Sequence, residues 1–166
     1  MIIEKHILFM YRCARYLHLY YVEKKLSRGS FKWFINKAVT KVIYKYYDCL
    51  LSFLYGAYLP YTASVGKGLR LNHSFHGVFI SENAVIGDNC TILQHVTIGS
   101  NQPLTSEAPI IGDNVFIGCN CSIVGTTSIG NNCIIGAGVV IANSEIEENS
   151  TVVGQKFRII KNEKCK

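Results

Sequence analysis

Residues 84–101 read AVIGDN CTILQH VTIGSN, three six-residue units of one design. Each opens with a small or β-branched residue (Ala84, Cys90, Val96). Each carries isoleucine third (Ile86, Ile92, Ile98), and two of the three have glycine fourth. The beat extends in both directions. Upstream lie ASVGKG (63–68), LRLNHS (69–74), a three-residue insertion FHG (75–77) and VFISEN (78–83). Downstream, after a break at 102–108, come PIIGDN, VFIGCN, CSIVGT, TSIGNN, CIIGAG, VVIANS, EIEENS and TVVGQK (109–156). The third residues outside the opening stretch are Val65, Leu71, Ile80, Ile111, Ile117, Ile123, Ile129, Ile135, Ile141, Glu147 and Val153, and only Glu147 breaks the pattern.

A repeat this short and this regular specifies a solenoid. Six residues hold a brief strand and a turn. The third residue points inward and stacks on its equivalents in neighbouring coils, and the first residue must be small enough to share that interior. Glycine, Asp-Asn and Asn-Asn at the unit ends supply left-handed turn conformations. Three units close one triangular coil of eighteen residues, so units three apart lie on one face. With FHG as a bulge, LRLNHS stacks beneath CTILQH. That places His73 below Gln94 and Ser74 below His95, with His76 in the bulge beside them. One edge then carries Asn72-His73, Gln94-His95, Cys119-Asn120, Ala137-Gly138 and Gln155-Lys156 in order: histidines at one end, small residues above, a cation at the top. Cys90, Cys121 and Cys133 occupy first positions and are read as core, whereas Cys119 lies on the edge.

The N-terminal third differs in kind. Residues 3–22 place Ile3, Ile7, Tyr11, Ala14, Leu17 and Tyr21 at helical spacing. Ser27-Arg28-Gly29-Ser30 interrupts, Ser30 suits an N-cap, and a second apolar helical pattern runs from Phe34 to Tyr55 before Gly56 and Pro60 end it. The net charge of +6 is concentrated here: residues 1–58 hold ten Lys/Arg against three Asp/Glu, and residues 59–166 hold seven against eight. The expected division is a helical segment over 1–58 and a solenoid over 59–166. Two readings of the helices stay open. They pack on the end of the solenoid and on a partner subunit, or their basic, tyrosine-rich surface touches an anionic membrane. Gly56, Pro60 and several polar residues argue against a transmembrane span over the uncharged run from Cys49 to Gly66. No reading motif for nucleic acid accompanies the basic helices. Seven cysteines, an odd number, with no signal-peptide pattern, fit a reducing cytoplasm.

The run LNHSFHGVFISENAVIGDNCTILQHVTIGSN, together with the closing TVVGQKFRII, resembles the hexapeptide-repeat acetyltransferases of the serine acetyltransferase group. It is still more similar to the short colanic-acid and capsule-type acetyltransferases. The resemblance implies a mainly β fold, a left-handed parallel β-helix preceded here by two α-helices, and a homotrimer with acetyl-CoA between subunits. It implies His73 as general base, a role that suits a neutral imidazole near pH 7. His95, His76, Gln94 and Asn72 would contact the acceptor. Cys119, Asn120, Ala137, Gly138, Lys156 and Arg158 would line the CoA groove, the last two at its phosphates. No metal is implied. Two departures bear on the acceptor: Tyr58 stands where serine acetyltransferases carry an aspartate that orients the base, and Ala108 where they carry a second histidine. The expected activity is acetyl-CoA-dependent O-acetylation of a sugar hydroxyl on a small or lipid-linked saccharide of a surface polysaccharide, in the cytoplasm or at the inner face of the membrane. The alternatives are serine O-acetylation, a non-catalytic β-helix scaffold, and a zinc enzyme of the carbonic-anhydrase type, whose histidine spacing does not match.

Overall fold

The computed structural model describes residues 2–23, 31–72, 75–102 and 106–154, with side chains described from Lys5 to Tyr20 and from Ala38 onward in those spans. Two helices open the chain: α1 (Ile2–Glu23) and α2 (Phe31–Tyr55). Ser30, the expected cap, lies outside the described residues. Strands of two or three residues follow, three to a coil. The first coil holds β1 (Ser64–Val65), β2 (Arg70–Leu71) and β3 (Phe79–Ile80). The second holds β4 (Val85–Ile86), β5 (Thr91–Ile92) and β6 (Thr97–Gly99). The third holds β7 (Ile110–Ile111), β8 (Phe116–Ile117) and β9 (Ser122–Val124), and the fourth β10 (Ser128–Ile129), β11 (Ile134–Ile135) and β12 (Val140–Ala142). A fifth begins with β13 (Glu145–Ile146) and β14 (Thr151–Val152).

All pairings are parallel and form three flat sheets: β1-β4-β7-β10-β13, β2-β5-β8-β11-β14 and β3-β6-β9-β12. The second of these is the face anticipated from the repeat. Register stacks the inward residues into three columns. Val65, Ile86, Ile111, Ile129 and Ile146 form one; Leu71, Ile92, Ile117, Ile135 and Val152 the next; Ile80, Ile98, Ile123 and Ile141 the third. First-position residues share the interior: Ala84, Cys90, Val96, Val115, Cys121 and Cys133 are all buried. The three buried cysteines also reach the coil above. Their thiols donate to the carbonyls of Gly112, Gly136 and Glu147 at 3.0–3.1 Å.

The repeat frame needs a correction in the last coil. Ile146 pairs with Ile129, and Val152 with Ile135. The column residues of the last coil are therefore Ile146 and Val152, not Glu147 and Val153. Ser144 accepts from Ser128 N as Thr127 does from Ile110 N one coil below, so the side starting at Val139 has five residues instead of six. Asn143 turns the shortened corner in the left-handed conformation (φ 48°), a backbone that short polar side chains tolerate. Glu147 never broke the pattern, because it sits at an exposed corner.

The helices close the lower end of the stack. A first coil has no coil beneath it to bond its carbonyls, and an open strand edge needs cover. Tyr11 Oη donates to Ala63 O (2.6 Å) and Tyr47 Oη to Leu59 O (2.8 Å), while Arg15 reaches the carbonyls of Tyr61, Thr62 and Ala63. Ile7, Tyr11, Tyr47 and Leu51 join the same buried cluster as the columns. Burial raises the pKa of the Tyr11 hydroxyl above the usual phenol value and that of Tyr47 well above it. The solenoid path starts directly after α2, where Gly56 takes a left-handed turn and Tyr58 bridges to Phe79.

Candidate active site

The corner between the second and third sheets carries the residues singled out by the repeat. Each coil ends this side with a residue in the left-handed conformation: Gly77 (φ 66°), His95 (φ 57°), Asn120 (φ 58°) and Gly138 (φ 71°). Each of the upper three donates its backbone N–H to the residue before its equivalent below. His95 N bonds His76 O (2.9 Å), Asn120 N bonds Gln94 O (3.1 Å), and Gly138 N bonds Cys119 O (2.8 Å). The edge therefore stacks His76-Gly77, Gln94-His95, Cys119-Asn120 and Ala137-Gly138 in four steps.

This ladder moves the histidines from their expected places. His76, not residue 73, sits beneath Gln94, and Gly77, not residue 74, sits beneath His95. The three extra residues belong before His76 instead of after Ser74. The physical reason is steric: the His95 ring rests on the position below, and only a residue without Cβ leaves it room. Phe75 is itself buried and in a left-handed conformation (φ 62°). His73 itself lies outside the described residues, as do Gln155, Lys156 and Arg158.

Among the described site residues, Asn72, His76, His95, Asn120, Ala137 and Gly138 are exposed, and Gln94 and Cys119 are half-buried. The His76 ring tilts against Tyr55 of α2 at 5.4 Å between centroids, which ties the helix end to this corner. Gln94 is the unusual member, because its Oε1 is buried with no hydrogen-bond partner among the described residues. A buried amide oxygen left unpaired costs about 1–3 kcal/mol, and such atoms in native folds commonly await a ligand or water. At the top of the ladder, a Cβ on Gly138 would meet nothing within 4 Å among the described residues, so the described edge is open there. Cys121 is buried behind it, and desolvation raises its thiol pKa, as it does for Cys90.

The structure also shows a feature the repeat did not announce. At the corner between the third and first sheets a cleft of about 340 Å³ is lined by Asn83, Ser106, Glu107, Thr126, Thr127 and Ser128 over a floor of Val85, Ala108 and Ile110. The only sequence signal was the break at 102–108, whose far end supplies three of the lining residues. Ala108 thus lines a cleft. Tyr58 stands on the outer side of the third sheet and donates to Glu82 Oε1 at 3.4 Å.

Three parallel sheets of stacked hexapeptides with left-handed corners define a hexapeptide-repeat solenoid. Residues 108–143 match the family described as "Bacterial transferase hexapeptide (six repeats)". The chain is 34% identical over 113 residues to a protein of Escherichia coli K12 named "Putative colanic acid biosynthesis acetyltransferase WcaB", spanning 68% of each chain. It is 29% identical over 159 residues to the serine acetyltransferase of Helicobacter pylori, covering 93% of this chain and 80% of that one. It also superposes on the serine acetyltransferase of Neisseria gonorrhoeae solved in complex with serine, with TM-score 0.68 and 32% identity, covering 90% of this chain and 54% of that one. The chain therefore belongs to the hexapeptide-repeat acetyltransferases of the serine acetyltransferase-like group, and its solenoid is their left-handed β-helix. It spans about half the length of the solved serine acetyltransferases it matches, and about a tenth of the plant serine acetyltransferases that share a 37-residue stretch with it.

Proposed function

We propose that this chain transfers the acetyl group of acetyl-CoA to a sugar hydroxyl in surface-polysaccharide synthesis, whether of a capsule, O-antigen or exopolysaccharide. The observation that carries the reading is the stacked corner, with histidines and the unpaired Gln94 oxygen at its lower end and the uncluttered Ala137-Gly138 step at its upper end. A thioester laid along such an edge brings its carbonyl to the histidines while its pantetheine arm follows the small residues. His73 is the general base. Its neutral imidazole takes the proton of the acceptor hydroxyl as that oxygen forms a bond to the acetyl carbonyl carbon. The tetrahedral intermediate then expels the thiolate, which receives the proton back from the imidazolium, giving the acetyl ester and free CoA. Backbone N–H groups at the corner stabilise the oxyanion. No thiol of the protein takes part, in keeping with the burial of Cys90, Cys121 and Cys133. The chain works as a homotrimer in the cytoplasm, with CoA between neighbouring subunits, and Lys156 and Arg158 meet its phosphates.

The colanic acid relative supports a saccharide acceptor, since it matches two thirds of both chains. Ala108 in place of a histidine speaks in the same direction. Serine is the second reading, favoured by the Helicobacter pylori relative, which covers nearly all of this chain. Release of CoA thiol by the purified protein tests both. Release with oligosaccharides or nucleotide sugars, absent with L-serine and lost in His73→Ala, is the expected result. Release with L-serine alone overturns the saccharide reading, and no release with any acceptor overturns both.

A further inference from the structure

The helices that cap the solenoid present an outward surface that the active-site edge does not use. On α1, Phe9, Tyr16 and Leu19 are exposed, and Lys5 and Arg12 stand exposed among them on the same side of the helix. Their spacing of three, four and seven residues puts them opposite Ile7, Tyr11 and Ala14, which face the core. On α2, Val39, Val42, Tyr46 and Phe53 form a second exposed stripe at the same spacing, with Lys45 on one flank and Lys41 further round, beside Asp48. Phe53 is 85% exposed and Val42 68%. In the single chain both helices thus bury one apolar face and leave another uncovered, more apolar surface than a soluble chain commonly leaves open.

We propose that the exposed stripes of α1 and α2 dock on an anionic phospholipid surface. The composition is that of a helix lying in the interfacial plane, with aromatic and aliphatic side chains able to enter the acyl boundary beside lysines and arginines that meet headgroup phosphates. Neither described helix is long and apolar enough to cross a membrane, so the chain lies on the surface. Charge separates this occupant from a second copy of the chain. Among the described helix side chains, Asp48 is the only acid, against the exposed Lys5, Arg12, Lys41 and Lys45, while Arg15 is turned inward to the first coil. Two copies meeting through this face would bring like charges together, whereas an anionic bilayer neutralises them. The inference concerns the helices alone and is independent of which acceptor the active site takes.

Flotation of the full-length protein with phosphatidylcholine vesicles, with and without phosphatidylglycerol, tests it. The protein floats with the anionic vesicles, stays behind with the neutral ones, and is released by salt. Lys41→Glu/Lys45→Glu lowers partitioning at least about tenfold. Phe53→Ser lowers it severalfold without disturbing the fold, since that side chain packs on almost nothing. Lys67→Glu, on the solenoid, leaves partitioning unchanged. Failure to float with anionic vesicles overturns the proposal, as does flotation that both helix variants leave intact. Sedimentation velocity without lipid guards against the other occupant: a smaller sedimentation coefficient for Phe53→Ser than for the unaltered chain shows that the stripe packs between copies, and the proposal falls.

Discussion

The imidazole of His95 lies on Gly77 one coil below. A Cβ on Gly77 would sit 2.9 Å from His95 Cε1 and closer still to Nδ1. Gly77 also has φ 66°. Gly77→Ala therefore meets two penalties, a left-handed backbone costing about 1–2 kcal/mol and a ring that must move. The substitution is expected to lower stability by roughly 2–3 kcal/mol in urea unfolding. Gly138→Ala serves as the comparison. Its φ is 71° but no described residue crowds it, so only the backbone cost of about 1–2 kcal/mol applies. Equal losses for the two would show that the ring contact contributes nothing.

The corrected frame of the last coil makes a second, opposite pair. Ile146 fills the column above Ile129, and Glu147 projects into solvent. Ile146→Ala is expected to cost about 1–2 kcal/mol, less than a fully buried isoleucine because it is half exposed. Glu147→Ala should stay within about 0.5 kcal/mol of the parent. The reverse order in thermal denaturation would restore the uninterrupted six-residue frame.

The buried oxygen of Gln94 separates stability from activity. Gln94→Met keeps the shape and removes the unpaired amide, so the fold gains roughly 1 kcal/mol or is unchanged. If the oxygen serves the acceptor, the same change raises the acceptor's KM severalfold with little effect on KM for acetyl-CoA. A variant that is less stable and fully active would remove Gln94 from the site. His73→Ala, by contrast, is expected to lower kcat about 10²–10⁴-fold with both Michaelis constants little changed.

Thiol chemistry should follow burial. Cys49 is exposed, and Cys90 and Cys121 are buried with raised pKa values caused chiefly by desolvation. A disulfide reagent at neutral pH is expected to modify Cys49 quickly and the other two only on unfolding. The linkage has a definite sign. An acid whose pKa is raised in the folded state keeps its proton there while the unfolded chain releases it, so stability falls as pH rises above the unfolded thiol value of roughly 8.5. The buried hydroxyls of Tyr11 and Tyr47 extend that decline through roughly pH 10 and above. Stability that rises between pH 9 and pH 11 (about the span set by those two values) would contradict the burial of all four groups.

Most of the architecture was legible because the inward columns repeat without error from Leu71 to Ile141, and because two long stretches before them keep helical spacing. The slip at Asn143 was hidden, since removing one corner residue leaves a plausible unit on either side and only the odd Glu147 marks it. The exchange of His73 for His76 beneath Gln94 was hidden for a related reason. Both NHS and FHG have turn composition, and what decides between them is the ring of His95 resting on glycine, a contact between residues 18 positions apart. The cleft at Glu107 and Ala108 depends on the path of a loop, for which the repeat carries no signal. The unpaired Gln94 oxygen is a property of packing around one atom and leaves no trace in composition.

The corners also give the molecule a direction. Asp88 N donates to Asp113 Oδ1, Asp113 N to Asn131 Oδ1, and Asn114 Nδ2 reaches Asn132 as Asn132 Nδ2 reaches Asn149. Each coil leans on its successor through the same kind of bond, while the opposite end is latched by Tyr11, Arg15 and Tyr47. Under mechanical load such a stack has a weak end and a locked end. Pulled from beyond β14, it would pay out thread one coil at a time in steps of similar force, whereas the helical end would hold until the latch gave way at once.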